Sequence, residues 1–186
     1  MVRFSIHYFR QDVKEVFEPM NVRTKKIVFS ALFAALVCVA TMIVKIPSGL
    51  KGYLNLGDCV VLAAGWVLSP LYGFVAAGLG SALADLFAGY LIYAPATFFI
   101  KGLMALGACL VLRSFSKKLG SLPSKVIGGL LAEAWMVLGY LLFESLLYGF
   151  VPSLVNVLGN AVQGAVGLVL GVLLVQVLER LLPDLN

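Results

Sequence analysis

Between Lys26 and Lys45 the chain reads Ile27-Val-Phe-Ser-Ala-Leu-Phe-Ala-Ala-Leu-Val-Cys-Val-Ala-Thr-Met-Ile-Val44, eighteen residues without a charge. A helix that crosses the hydrocarbon core of a bilayer needs about 20 predominantly apolar residues, within a range of roughly 17–25. The flanking Lys25, Lys26 and Lys45 suit the two ends of such a helix, where long cationic side chains reach the interface. The rest of the chain has the same character. Of 186 residues, 61% are hydrophobic and 12% charged, against about 45–50% and about 25% in soluble domains. Mean hydropathy is +1.02. So few charges cannot clothe a water-facing surface, and lipid must solvate much of the molecule. No A-x-A cleavage site precedes Lys45, so this first apolar run reads as a retained helix.

Further along, Asp58 and Asp85 enclose 26 uncharged residues interrupted by Ser69-Pro70. Positive charge near helix ends marks the cytoplasmic side. Two spans, about 53–69 and 71–88, put the N-terminal basic cluster, the cluster Arg113, Lys117, Lys118 and Lys125, and Arg180 on one side. A single span would separate them. The expected fold is therefore an all-α membrane protein with six transmembrane helices and both termini cytoplasmic. The remaining spans are about 96–112, 126–148 and 153–178. The turn-rich 46–57, Gly89 to Pro95 and Gly149 to Pro152 face outward, and the basic loop 113–125 faces inward. Gly73, Ala77, Gly80, Ala84 and Ala88 form a stripe for close helix packing, as do small residues of the first helix.

Residues 1–20 differ. Phe4, Tyr8, Phe9, Val13, Val16 and Phe17 recur at helical spacing among charged residues. This segment is either an amphipathic interfacial helix or sequence upstream of a natural start at Met20. The membrane domain is placed at 21–182.

Several classes of chemistry are disfavoured. The net charge of +5 reads as helix-flanking charge that orients the chain, with no nucleic-acid partner. Cys38, Cys59 and Cys109 lie singly inside apolar runs, and His7 is the lone histidine. No metal site and no cofactor are expected. Without a catalytic grouping or phosphate loop, no catalytic residues are assigned and the chain is not expected to be an enzyme.

Ionisable groups inside membrane helices are costly, so each is a functional candidate. These are Asp58, Asp85, Lys101, Glu133 and Glu144. Glu133 and Glu144 are eleven residues apart, about three helical turns, and so share a face with Tyr140. Glu133 suggests an ion pair or a partner contact. Lys101 either bonds a ligand or neutralises Asp85 or Glu144. Asn156, Asn160 and Gln163 follow i, i+4, i+7 along one face of the last span. Amides facing lipid would go unsatisfied, so they line a ligand site or bond another helix. Tyr53, Tyr93, Tyr140 and Tyr148 offer rings for stacking.

Three segments carry a resemblance: Gly52-Tyr-Leu-Asn-Leu-Gly-Asp58, Ser81-Ala-Leu-Ala-Asp85 at the end of the small-residue stripe, and Tyr93-Ala-Pro-Ala-Thr-Phe-Phe-Ile-Lys-Gly-Leu103. In this order, with Ala31-x-x-x-Ala35 in the first helix, the chain resembles the S components of energy-coupling factor (ECF) transporters, closest to the riboflavin-transporter-like branch. The resemblance implies a multi-pass protein of a bacterial-type cell membrane. It would capture a water-soluble vitamin or precursor from outside. Which one does not follow from membership; the tyrosine rings with Asn156, Asn160 and Glu144 suit riboflavin, pyridoxine or a hydroxymethyl-pyrimidine. Ala31 and Ala35 would dock on a transmembrane T component that works with two cytoplasmic ATPases. Its ligands would lie near the outer surface, where this chain offers Tyr53, Asn55, Lys101, Tyr140, Glu144, Asn156, Asn160 and Gln163. The alternative is a standalone ion-coupled transporter or membrane enzyme using Asp58, Asp85, Lys101 and Glu133.

Overall fold

A computed structural model describes residues 21–48 and 53–181. The amphipathic segment expected at 1–20 lies outside the described residues, as do 49–52 and 182–186. Six helices account for nearly all of the described chain: α1 (Val22–Ile43), α2 (Gly57–Val67), α3 (Pro70–Phe87), α4 (Ala94–Leu119), α5 (Ser121–Tyr148) and α6 (Phe150–Leu181). A short antiparallel hairpin of β1 (Ile46–Pro47) and β2 (Tyr53–Leu54) joins α1 to α2, pairing Ile46 with Leu54 and Pro47 with Tyr53.

Local chemistry explains the ends. Asn21 caps α1, its side chain accepting from the Thr24 N–H at 2.8 Å. Pro70 occupies the first turn of α3, where its missing N–H is not needed. Gly120 and Gly149 turn the corners into α5 and α6 with φ of +86° and +89°, a region only glycine enters freely.

Two expectations need correction. The basic stretch 113–125 is not a loop: α4 runs to Leu119 and α5 starts at Ser121, leaving Gly120 as the only non-helical residue between them. Arg and Lys are good helix formers, and Lys117 and Lys118 in the last turn of α4 suit the negative end of its dipole. The second span is also shorter than expected. Residues 53 and 54 belong to the hairpin, and α2 has only 11 residues. At about 1.5 Å per residue it rises about 16 Å, roughly half the thickness of a bilayer core. Among the described residues, five helices are long and apolar enough to cross a membrane; α2 is not among them.

Helix α2 is the centre of the bundle, meeting all five other helices. Nine of its residues, including every one from Val60 to Trp66, are buried. Close approach is built in by glycine. A Cβ on Gly65 would collide with the Ala105 carbonyl of α4, and one on Gly80 with the Ala34 carbonyl of α1. Helix α1, by contrast, packs chiefly on α3 and buries only Phe33, Val37 and Thr41. The two ends of the bundle differ in chemistry. Lys25, Lys26 and Arg113 gather at one end with the α2–α3 turn at Ser69. The polar side chains described next gather at the other.

Candidate functional site

The shortness of α2 leaves a hollow above its N-terminus, and the hairpin fills the top of it. Non-helical backbone is tolerated at membrane depth only where protein buries it or where it lines a cavity. Here it lines a cavity. Tyr53 and Asn55 come from the hairpin side, Asp85 from the end of α3, and Tyr90 and Tyr93 from the α3–α4 turn. Thr97 comes from α4, Tyr140 and Glu144 from α5, and Asn156, Asn160 and Gln163 from α6.

The hairpin is held down by named bonds. The Tyr53 hydroxyl donates to Asp85 Oδ1 at 2.9 Å. Burial, and then the Asp85 carboxylate beside it, raise the Tyr53 phenol above its ordinary range, so it keeps the proton it donates. The Asn55 backbone N–H donates to Gln163 Oε1 at 2.8 Å. Asn55 Oδ1 in turn accepts from the Gly57 N–H at 2.8 Å, meeting one of the open donors at the start of α2. Gln163 then donates to Asp58 Oδ2 at 2.7 Å. One amide thus bridges the hairpin to the root of α2.

Across the cavity, Asn156 Nδ2 and the Tyr93 hydroxyl both donate to Glu144 Oε1, at 2.8 and 3.3 Å. The Tyr140 hydroxyl donates to Thr97 Oγ1 at 3.1 Å. Tyr53, Tyr90 and Tyr93 form a run of rings with centroids 5.1 and 6.2 Å apart. Some groups stay unpaired among the described residues. Asp85 Oδ2 and Glu144 Oε2 are buried without a hydrogen-bond partner, and the half-buried Asn160 makes no side-chain hydrogen bond. The open space measures about 40 Å³; roughly 10–15 Å³ holds one water molecule. With the hairpin in this position the cavity is too small for a vitamin ring system.

Of the expected ligand residues, Tyr53, Asn55, Tyr140, Glu144, Asn156, Asn160 and Gln163 meet at this one cavity. Lys101 lies beneath it. Its ammonium is bonded and ion-paired to Asp58 Oδ1 and sits 5.5 Å from the centre of the Tyr140 ring. The expected pairing with Asp85 or Glu144 is therefore corrected: α4 packs directly on α2 and brings Asp58 to Lys101 first. Glu133 was expected to form an ion pair or meet a partner. It forms no ion pair among the described residues. Its carboxylate, unpartnered and buried, lies in the space left by Gly164 and Gly167 of α6. Tyr148 is not part of the lining, although it neighbours Tyr93. Ser48 and Tyr90 line the cavity unforeseen. Tyr90 had a signal, following Gly89 at a corner that faces the same end.

The partner-docking candidates Ala31 and Ala35 are both exposed on the outer face of α1. Leu32 and Leu36 beside them are 49% and 46% exposed. Among the described residues no group of His, Cys, Asp and Glu could hold a metal ion.

Comparison with known proteins adds the following. The family model for the ECF-type riboflavin transporter, S component, matches residues 21–180. A Pyrococcus woesei protein described as an uncharacterized protein in the gap 3′ region is 35% identical over 136 residues, covering 73% of this chain and 88% of that protein. A solved structure of the S component of a bacterial ECF transporter aligns with a TM-score of 0.63, covering 86% of this chain and 98% of its own. Its sequence identity is 23%, so this likeness speaks to the fold.

Proposed function

Because this chain belongs to the family of ECF-type riboflavin transporter S components, the membrane-embedded substrate-binding subunits of ECF transporters, we propose that it captures a water-soluble vitamin or precursor in the cavity beneath the β1–β2 hairpin. S components are transporter subunits and not enzymes, and they reside in the cell membrane as multi-pass proteins. The observation that carries the proposal is the convergence of polar side chains from the hairpin and from α3 to α6 on one cavity. Asn160 keeps an unbonded amide there. Tyr53 and Asn55 act as the lid, Tyr140 offers a ring face, and Glu144, Asn156, Asn160 and Gln163 offer polar contacts. Lys101 supports the site from below through Asp58. The lid must lift to admit a ligand.

The topology that goes with this reading has α2 entering from the cytoplasmic side as a sixth, half-length element, with both termini cytoplasmic. The clustering of Lys25, Lys26 and Arg113 at the end opposite the cavity supports it, since the positive end faces the cytoplasm. The cavity then opens outward. The exposed Ala31 and Ala35 allow close helix approach and are assigned to docking on a T component, which two ATPases drive. The test is mass spectrometry of small molecules retained after gentle purification of the full chain. A vitamin or precursor in stoichiometric amount is the expected result. A protein that is folded, empty and unable to bind any member of a vitamin panel would defeat the proposal.

A further inference from the structure

Among the described residues, the ionisable groups buried around the cavity do not balance. Asp58, Asp85, Glu133 and Glu144 are all buried, and Lys101 is the cation among them. The other buried cation among the described residues, Lys125, is engaged at the opposite end by Glu179 at 2.7 Å. Lys101 is committed to Asp58. Among the described residues, the donors that reach Asp85 and Glu144, which line the cavity, are neutral: Tyr53 and Thr97 for the first, Tyr93 and Asn156 for the second. Each keeps one oxygen with no partner. No Lys, Arg or His is among the described residues that line the cavity.

An unpaired buried carboxylate oxygen is expensive, and native proteins pair such groups with donors or cations. Around these two oxygens the cavity presents aromatic faces. Tyr53, Tyr90 and Tyr93 lie ring against ring, and Tyr140 of α5 lines the same cavity. The electron-rich face of a tyrosine attracts a cation that comes within about 6 Å of its centroid.

Resting on the reading of this cavity as the ligand site, we infer that its ligand is an aromatic ring carrying positive charge or amino N–H donors, held between the tyrosines with those donors on Asp85 and Glu144. Hydroxyl groups on such a ligand have the free amide of Asn160 to bond. A ring system edged mainly with acceptors, as in riboflavin, whose single ring N–H lies between two carbonyl oxygens, is the poorer fit, because the ring can donate to one of the two carboxylates at most. The family's namesake ligand and the ligand of this chain would then differ in charge or in the donors they present.

The inference is tested by titrating the purified full chain in detergent with thiamine, 4-amino-5-hydroxymethyl-2-methylpyrimidine, pyridoxamine and riboflavin. At least one amino-bearing or cationic ring should bind at least tenfold more tightly than riboflavin. Glu144→Gln and Asp85→Asn keep the oxygens that accept from Asn156, Tyr93 and Tyr53 but remove the charge. Each should weaken that ring at least tenfold and leave riboflavin within about threefold. If a variant folds poorly, the ranking of ligands on the unaltered protein decides. Riboflavin binding as tightly as every amino ring, or more so, overturns the charge inference and leaves the substrate-binding reading standing. A folded protein that binds no ring of either kind overturns both.

Discussion

Helices α1 and α2 are both apolar and follow one another in sequence, yet they solve opposite problems. Helix α1 has 22 residues, of which three are buried. Leu32, Leu36 and Val39 look away from the bundle, where lipid or another helix must meet them. Helix α2 has 11 residues, of which nine are buried, and it touches every other helix. A helix that is apolar all round is buried in protein or in a membrane. Composition alone does not tell the two apart. What separates them is length and what each carries at its end: α2 begins beside a charged side chain bonded on both oxygens.

The largest way to break this contrast is at Asp58. Asp58→Ala would strand Lys101 in the bundle interior, and removing one partner of a buried pair costs about 3–5 kcal/mol. We expect poor yield or a steep fall in melting temperature in detergent. A protein as stable as the parent would mean that α2 is not the keystone described here.

The Gln163 bridge comes next. Gln163→Leu removes both the donor to Asp58 and the acceptor for the Asn55 N–H, leaving them unsatisfied at about 1–3 kcal/mol. Hydrogen exchange should quicken at residues 55–58 while the middle of α1 stays protected. Unchanged exchange at Asn55 would show that the hairpin is held by other contacts.

Gly65 tests the packing of α2. Gly65→Ala places a methyl against the Ala105 backbone, and overpacking of this kind costs about 1–3 kcal/mol. Gly107→Ala, with nothing within 4 Å of its new Cβ, should stabilise slightly or do nothing. Equal melting temperatures for the two variants would refute the close approach of α2 and α4.

The smallest effect on the fold is expected on α1. Ala35→Trp adds bulk to an exposed position and should shift stability by no more than about 0.5 kcal/mol. The same variant should lose assembly with a T component while the isolated subunit still binds ligand. Normal assembly would move the docking face elsewhere.

Much of the fold was legible in the sequence because lipid imposes simple rules. The charge-free run at 27–44, the break at Ser69-Pro70 and the corner at Gly149 all mark real helix ends or turns. The face shared by Asn156, Asn160 and Gln163 follows from helical periodicity, and the structure turns it toward the cavity. What stayed hidden depends on tertiary neighbours. The pairing of Lys101 with Asp58 requires knowing that α4 packs on α2. Lys125 reads as the last member of the basic loop 113–125 and is instead buried in α5 and bonded to Glu179, 54 positions away. The early start of the apolar run at Tyr53 masked the end of the strand pair, because Tyr-Leu suits a strand and a membrane helix equally.

The length of α2 also has an electrical consequence. If α2 stands upright from its turn at Ser69, its N-terminus stops near the middle of a hydrocarbon core about 30 Å thick. The floor of the cavity then lies at that depth. Moving one elementary charge across a full membrane at 100 mV is worth about 2.3 kcal/mol, so a singly charged ligand settling on that floor from outside would cross about half of the voltage drop. With the cell interior negative, a cation would be drawn in by about 1 kcal/mol before any ATP is spent. In vesicles with an imposed potential, its affinity at this site would rise about sixfold per 100 mV.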